Sequence, residues 1–553
     1  MLKGKKFAIA LCIVLTVVGC LTGCKKNKKK RRSILPDSSI YSSQNFTDIL
    51  LDSVVVNNFF KSFAAEDTVR EEVKEFYARR SYQSAWFSKN GLNNAAQNFH
   101  SQLKSYTYDF ADSSFQNVEL DNLITRAESD EKKFLGNKVE VQRLDLLLTT
   151  TFFNYALKAY GGITKNPLDL EWFIPRKKKN YQLLLDSLVS MSGGEKVREP
   201  VNLYYIRLKD KLRAYRNIER KGGWPKIIST KKQLVTGDRD SSILVAKQTL
   251  FITGDFRLQD TSMTFTDSLK NAVVRFQHRM GLKESGIIDK ATLNEMNQPI
   301  KYRIRQIMLN MERLRWVPEE LEKDHLLINI PEYMLHVFEN GKQAWTMNVV
   351  VGKTASQTTI FKGNLSQIVL NPYWNIPQSI IRNEILPQLK HGTGYLTRNN
   401  MEVLSGGKVI NPSTIDWSVY TNHVPYLIRQ RPGNRNSLGK IKFLFPNSYN
   451  IYLHDTPAKS LFNNSRRAFS HGCIRLSDPK RLAVYLLKNK AEWNAGKINE
   501  VLATDKETGI KVDPTIPVYI VYFTSWVDNT GQINFRNDLY GLDAKLSAEI
   551  FGE

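Results

Sequence analysis

Ser470-His471-Gly472-Cys473-Ile474-Arg475-Leu476 is the stretch on which the reading of this chain turns. Cysteine use shows why. The 553 residues include 4 cysteines, Cys12, Cys20, Cys24 and Cys473. The first three lie in an N-terminal segment that reads as an export signal, so Cys473 is the one thiol of the folded body. An exported protein meets an oxidising compartment, where an unpaired thiol is a liability unless it is used. A lone cysteine otherwise behaves as a small buried hydrophobe. The residues around Cys473 turn the reading toward chemistry.

A thiolate attacks and a thiol does not, and a free thiol with a pKa of about 8.5 is mostly protonated at neutral pH. An imidazole can take that proton and later give it to a leaving amine. His454, in Asn450-Ile451-Tyr452-Leu453-His454-Asp455-Thr456, lies 19 residues before Cys473, enough for a strand to leave and return beside itself. His471 is the rival base, closer in sequence but strained by its position two residues away on an extended segment. His454 is the preferred base. Gly472 permits an unusual backbone angle and close approach of a substrate. Ser470 belongs to the same cluster, whose small residues leave backbone N–H groups free to face an oxyanion. Arg475 falls on the same strand face as Cys473, where its charge favours thiolate or holds a substrate carboxylate.

The run from Tyr452-Leu453-His454 to Ser470-His471-Gly472-Cys473-Ile474-Arg475 resembles the active-site signature of L,D-transpeptidases, which cross-link bacterial peptidoglycan through a cysteine acyl-enzyme. Asn371-Pro372-Tyr373-Trp374-Asn375-Ile376-Pro377, Arg429-Gln430-Arg431-Pro432-Gly433, Leu438-Gly439 and Phe443-Leu444-Phe445-Pro446-Asn447 extend the resemblance to the large, multidomain branch of that family. The fold implied is multidomain α+β. It has a mostly helical scaffold, a small three-helix peptidoglycan-binding module, and a β-rich catalytic domain with an inserted capping segment.

Lys3, Lys5 and Lys6 precede an apolar run from Phe7 to Val18, too short for a membrane span. Leu21-Thr22-Gly23-Cys24 resembles a lipobox, with Val17-Val18-Gly19-Cys20 as a weaker rival and an ordinary secretory signal as the plain alternative. The expectation is a lipoprotein signal over 1–24, lipidated at Cys24 and anchored to a membrane without spanning it. A basic tether follows over 25–47; beside an anchor, its lysines and arginines would lie on anionic headgroups. The net charge of +25 fits headgroups or an anionic wall polymer. No nucleic-acid motif accompanies it, so no nucleic-acid partner is expected.

Helical periodicity, as at Glu71–Tyr77 and Leu144–Tyr160, marks a scaffold over 48–235, with Trp86 and Trp172 as core. Leu269, Ala272, Val273 and Phe276, then Gly281, Gly286 and a helix capped by Asp289, resemble the peptidoglycan-binding module, over 236–298. A connecting helix is expected within 299–323. From about His325 the period becomes strand-like, with Asn340-Gly341 as a hairpin turn. The catalytic domain is placed at 324–505. Its insertion at 378–436, rich in turn residues, is read as a cap over the groove, with His391 and His423 as ordinary polar residues. The remaining 506–553 hold a strand and a tail. Its polar, aromatic segment Phe535–Asp543 receives no role.

The resemblance implies that Cys473 attacks the carbonyl of the third residue of a tetrapeptide stem and releases D-alanine. An amine of a second stem then resolves the thioester. Tyr452, on the face of His454, and Trp374 and Tyr373 would line the groove, with aromatic core as the alternative for the last two. Adjacent strand residues face opposite ways, so a backbone carbonyl or another residue, not the Asp455 carboxylate, is the expected orienter of His454. No cofactor and no metal are implied, since the histidines show no ligand spacing. Two other functions fit parts of the sequence: a cysteine peptidoglycan hydrolase or carboxypeptidase on the same site, and a non-catalytic wall-binding lipoprotein. The expected location is the cell envelope, lipid-anchored and facing the periplasm.

Overall fold

A computed structural model describes residues 49–163, 165–176, 178–190, 198–257 and 260–552. Cys24, Cys20, the export segment and the tether at 25–47 lie outside these residues. The chain forms two compact units. The first takes the described residues of Met1–His100, Asn117–Asn154 and Tyr181–Glu195; the second takes those of Ser101–Gln116, Tyr155–Asn180 and Lys196–Glu553. The helical region expected over 48–235 is therefore divided between them.

In the first unit, helix α1 (Asp67–Arg79) buries Val69, Val73, Phe76 and Tyr77 at the expected helical spacing. Helix α2 (Lys138–Tyr155) brings Asp145 into the same interior. There the carboxylate accepts from the Tyr77 and Ser84 hydroxyls, both at 2.6 Å, and from the Trp86 N–H at 2.9 Å. A buried charge is tolerated when its lone pairs are filled in this way. Trp86 is core, as its sequence context predicts.

The second unit begins its sheet with a short strand, β1 (Trp172–Phe173). Helix α3 (Leu203–Arg220) follows. Three helices, α4 (Ser241–Ile252), α5 (Asp267–Arg279) and α6 (Lys290–Met296), then form the small module. Asp289 caps α6 by accepting from the Thr292 N–H at 2.8 Å. Helix α7 (Ile300–Arg315), read from the sequence as a connector, is buried nearly all round and packs against α3. The sequence shows only one apolar stripe; the polar residues between find distant partners. Gln306 donates to the carbonyls of Thr524 and Arg536, and Asn310 to the Thr524 hydroxyl.

The main sheet contains β2 (His325–Asn329), β3 (Met334–Glu339), β4 (Lys342–Gly352) and β5 (Ile360–Leu370). Asn340 and Gly341 join β3 to β4 with φ of 52° and 76°, values that an Asn-Gly hairpin turn needs. The inserted segment then supplies β6 (Trp374–Asn375), β7 (Met401–Ser405), β8 (Lys408–Ile410) and β9 (Leu427–Gln430). The main sheet resumes with β10 (Ile441–Leu444), β11 (Leu453–His454), β12 (Ala468–Ser470) and β13 (Ile474–Leu476). Helix α8 (Pro479–Leu486) follows, capped by Asp478, and then β14 (Thr508–Val521). Strands β15 (Ser525–Val527) and β16 (Ile533–Phe535) and helix α9 (Leu542–Phe551) close the chain.

Pairing runs β10–β11–β13–β4–β3–β2–β14–β5, and β5 pairs again with β10, so the sheet closes on itself. Strand β14, the strand expected in 506–553 outside the catalytic domain, is thus a member of the main sheet, between β2 and β5. Strand β1 adds to the edge of β5 with Trp172 opposite Ile360. The insertion is a small body of its own: β8–β7–β9–β6 pair antiparallel over a core that includes Ile381, Leu386, Val403, Trp417 and Ile428. Within it His391 and His423 are exposed.

Candidate active site

Three neighbouring strands build the site. In β10, Lys442 lies opposite His454 of β11, and His454 lies opposite Arg475 of β13. Tyr452 precedes His454 by two residues and Cys473 precedes Arg475 by two. Side chains repeat every second residue on a strand, so Lys442, Tyr452, His454, Cys473 and Arg475 share one face. Cys473 is free and half-buried, at the end of the turn that enters β13.

The thiol donates to the Asn450 carbonyl at 3.6 Å. The backbone N–H and the phenol of Tyr452 both act on the thiol and favour its ionised form. Burial pushes the thiol up from its ordinary range; Tyr452, then Lys442 and Arg475, pull it back. Trp374 in turn lowers the Tyr452 phenol, whose pKa burial raises. Tyr452 and Trp374 thus both lie among the groups that act at Cys473. Tyr373 is not brought there. Its ring lies under the Arg429 guanidinium, 4.1 Å away, and its N–H donates to Glu507 at 2.9 Å.

His454 is buried, and its Nδ1 lies 2.5 Å from the Asp455 carbonyl. A carbonyl only accepts, so Nδ1 carries the proton and Nε2 is left with its lone pair. Burial, and then the Arg475 charge, push His454 down to about 3, which keeps it neutral. The Asp455 carboxylate turns away: it accepts from the Lys440 N–H at 2.8 Å and pairs with Lys459 at 2.6 Å. Gly439, at φ +61°, makes room for it, since a Cβ there would sit 2.4 Å from that carboxylate.

Ser470 and Gly472 shape the turn. The buried Ser470 hydroxyl accepts from the Gly472 N–H at 3.1 Å and donates to the Cys473 carbonyl at 2.5 Å. Gly472 adopts φ +117°, a conformation side chains rarely allow. The sequence reading counted N–H groups around Gly472 and Cys473 as oxyanion donors. The Gly472 N–H is instead engaged by Ser470, because the turn folds back on that hydroxyl. Among the described residues no acceptor engages the Cys473 N–H. His471 is exposed and points to the inserted segment, with Nε2 3.0 Å from Glu384.

Lys442 was not singled out in the sequence. Its ammonium sits 4.0 Å from the centre of the Tyr452 ring, and burial pushes its pKa down. The available signal is a lone charge within the apolar run Ile441–Leu444. Among the described residues neither Lys442 nor Arg475 has a carboxylate ion pair, and the Arg475 Nε is buried without a partner. Among the described residues, too, no His, Cys, Asp and Glu cluster is placed to hold a metal, and no helix is long and apolar enough to cross a membrane.

Three family models match the chain. They are an L,D-transpeptidase catalytic domain over residues 323–513, a scaffold domain over 71–212, and a "Putative peptidoglycan binding domain" over 246–296. A curated protein of Haemophilus influenzae, "Putative L,D-transpeptidase", is 37% identical over 248 residues, 44% of this chain and 50% of that protein. The chain thus matches about half the length of that relative. Among solved structures, an L,D-transpeptidase of Xylanimonas cellulosilytica is 11% identical over 53% of this chain and 100% of its own, with a TM-score of 0.18. One of Stackebrandtia nassauensis is 13% identical over 53% and 97%, with a TM-score of 0.22. Scores this low leave the fold argument to the strand pairing itself.

Proposed function

Since the chain belongs to the multidomain L,D-transpeptidase family, we propose that it joins the third residues of two peptidoglycan peptide stems through a Cys473 thioester. The single observation that carries this reading is the shared strand face on which the half-buried Cys473 thiol meets Tyr452, a neutral His454 and two cations. Cys473 Sγ attacks the carbonyl carbon of the third residue of a donor tetrapeptide. His454 Nε2 takes the thiol proton as the C–S bond forms. The tetrahedral oxyanion lies against the Cys473 N–H. The C–N bond to D-alanine then breaks, and the proton on His454 passes to the departing amine. A side-chain amine of a second stem attacks the thioester, loses its proton to His454, and the thiol is restored. The thioester retains the energy of the cleaved amide, so no nucleotide is required.

The same reading assigns the module at 236–298 to holding the wall polymer and the segment at 378–436 to covering the groove. It assigns Cys24 to a lipid anchor, with the tether at 25–47 and the folded units facing the periplasm. The test is mass spectrometry of products from the full chain, kept in detergent, with tetrapeptide-stem muropeptides and a Cys473→Ala control. A cross-linked dimer lighter by one D-alanine, absent with the variant, is expected. Loss of D-alanine without dimer would make the protein a hydrolase, and no change in either sample would remove catalysis from the reading.

A further inference from the structure

The segment Phe535–Asp543 lies beyond the family match, which ends at residue 513, and its sequence offers no role. In the structure it reaches the turn that carries Cys473. Tyr540 is buried, and its hydroxyl donates to the Gly352 carbonyl at 2.7 Å while accepting from the Thr358 N–H at 3.2 Å. Both of its partners touch the turn. Gly352, the last residue of β4, is the ladder partner of Ser470. The Thr358 hydroxyl accepts from the Gly352 N–H at 2.9 Å and donates to the Gly472 carbonyl at 2.7 Å. The two hydroxyls thus hold both sides of the backbone that presents Cys473.

The far end of this chain of hydrogen bonds is fixed. The Tyr540 N–H donates to the Tyr522 hydroxyl at 2.8 Å, and that hydroxyl donates to Asp538 at 2.6 Å. The two rings stack with centroids 5.7 Å apart. Asp538 also accepts the Asp543 N–H at 2.9 Å, at the start of α9. Asp543 accepts from the Thr524 hydroxyl at 2.7 Å and pairs with Arg313 of the buried helix α7. Burial pushes the Tyr540 phenol up to about 12, so it remains a donor through neutral pH.

A cavity of about 70 Å³, lined by Glu171, Phe173, Gln357, Thr358, Thr359 and Leu542 among others, adjoins Thr358. Gly352 has no side chain to contribute; a Cβ there would sit 2.1 Å from the Ser356 carbonyl. The Thr358 and Tyr540 hydrogen bonds therefore tie the backbone of residues 470–473 to the C-terminal tail.

We propose that Tyr540, acting through Thr358 and Gly352, is a positioning residue for Cys473, so that the C-terminal tail is a working part of the active site. The inference rests on the reading of Cys473 as the reacting thiol. A buried hydrogen bond left unmade costs its remaining partner, and a displacement of about 1 Å at a reacting atom costs about 100-fold in rate.

The experiment compares the full-length wild type with Tyr540→Phe, Thr358→Val and Thr358→Ser. Phenylalanine keeps the ring stack and removes only the hydroxyl; serine keeps the hydroxyl that valine removes. Two readouts are taken: kcat and KM for dimer formation, and the pH profile of Cys473 alkylation. Tyr540→Phe and Thr358→Val are each expected to lower kcat by about tenfold with KM within about twofold, and to change the alkylation profile. Thr358→Ser is expected to restore most of the rate. Wild-type kcat and alkylation in Tyr540→Phe would overturn the proposal, as would equal losses in the serine and valine variants. If Tyr540→Phe does not fold, the serine–valine pair decides alone. If the wild type makes no dimer, the transpeptidase reading fails, while alkylation still decides whether Tyr540 positions the thiol.

Discussion

Tyr452 acts on the Cys473 thiol through its backbone N–H and its phenol, from the strand that lies parallel to the one Cys473 enters. Both groups are donors, and a donor stabilises thiolate more than thiol. Burial works the other way and raises the thiol. The net direction for the thiol is upward, so the proposed mechanism requires His454 to take the thiol proton as attack occurs.

Tyr452→Phe removes the phenol donor and keeps the N–H. The pH midpoint of Cys473 alkylation should rise by about one pH unit, the equivalent of one charge-assisted hydrogen bond. The rate of the fully ionised thiolate should change little. A midpoint that stays put would show that the phenol does not act on the sulfur.

His454 gives the fold a pH dependence whose direction is set by its depressed folded pKa, about 3. An unfolded histidine titrates at about 6.5, so between these values the unfolded chain binds a proton that the folded one refuses. The contribution to stability is complete above about pH 6.5 and falls as pH drops, by about 1.4 kcal/mol per pH unit. Urea unfolding at pH 7.0 and 5.5 should cost the wild type about 1.3 kcal/mol more than it costs His454→Asn. An equal loss in both proteins would show that His454 is not held neutral.

The two histidines near Cys473 should separate cleanly on substitution. His471 is exposed and faces Glu384, and such surface pairs are worth about 0–1 kcal/mol. His471→Ala should keep kcat within about fivefold, the residual effect coming through the inserted segment. His454→Ala should lose at least about 100-fold, the usual scale of general acid–base catalysis. The reverse ranking in a dimer-formation assay would exchange their roles.

The local chemistry of this site was legible and its assembly was not. The Cys473 turn and the His454 strand could be read because each is a short run whose residue types announce their use. Lys442 escaped notice because its place beside His454 depends on how β10 pairs with β11. Tyr540 escaped for a stronger version of the same reason: it reaches Gly352 and Thr358 from more than 180 positions away in sequence. The cap at 378–436 reads as loop because strands as short as Lys408–Ile410 carry too few residues to show a period. Helix α7 showed its apolar stripe, Ile304, Ile307, Met311 and Leu314. Its buried Gln306, Asn310 and Arg313 find their partners in the tail, which the helical period alone does not show.

Asp455 offers the sharpest test of how His454 is oriented. It looks like a triad acid, since it directly follows the imidazole in sequence. Its carboxylate is occupied elsewhere, by the Lys440 N–H and by Lys459, and its carbonyl is the group that holds Nδ1. Asp455→Asn keeps that carbonyl and a side-chain oxygen able to accept from Lys440. Dimer formation should therefore persist within about fivefold of wild type. A carboxylate that fixed the tautomer of His454 would instead cost about 10⁴-fold on the same change. A thermal midpoint lower by a few degrees is compatible with the lost Lys459 pair, because the cost of that pair falls on the loop after β11 and not on the imidazole. A collapse of kcat in a folded Asp455→Asn protein would mean that the carboxylate, and not the backbone, sets the base.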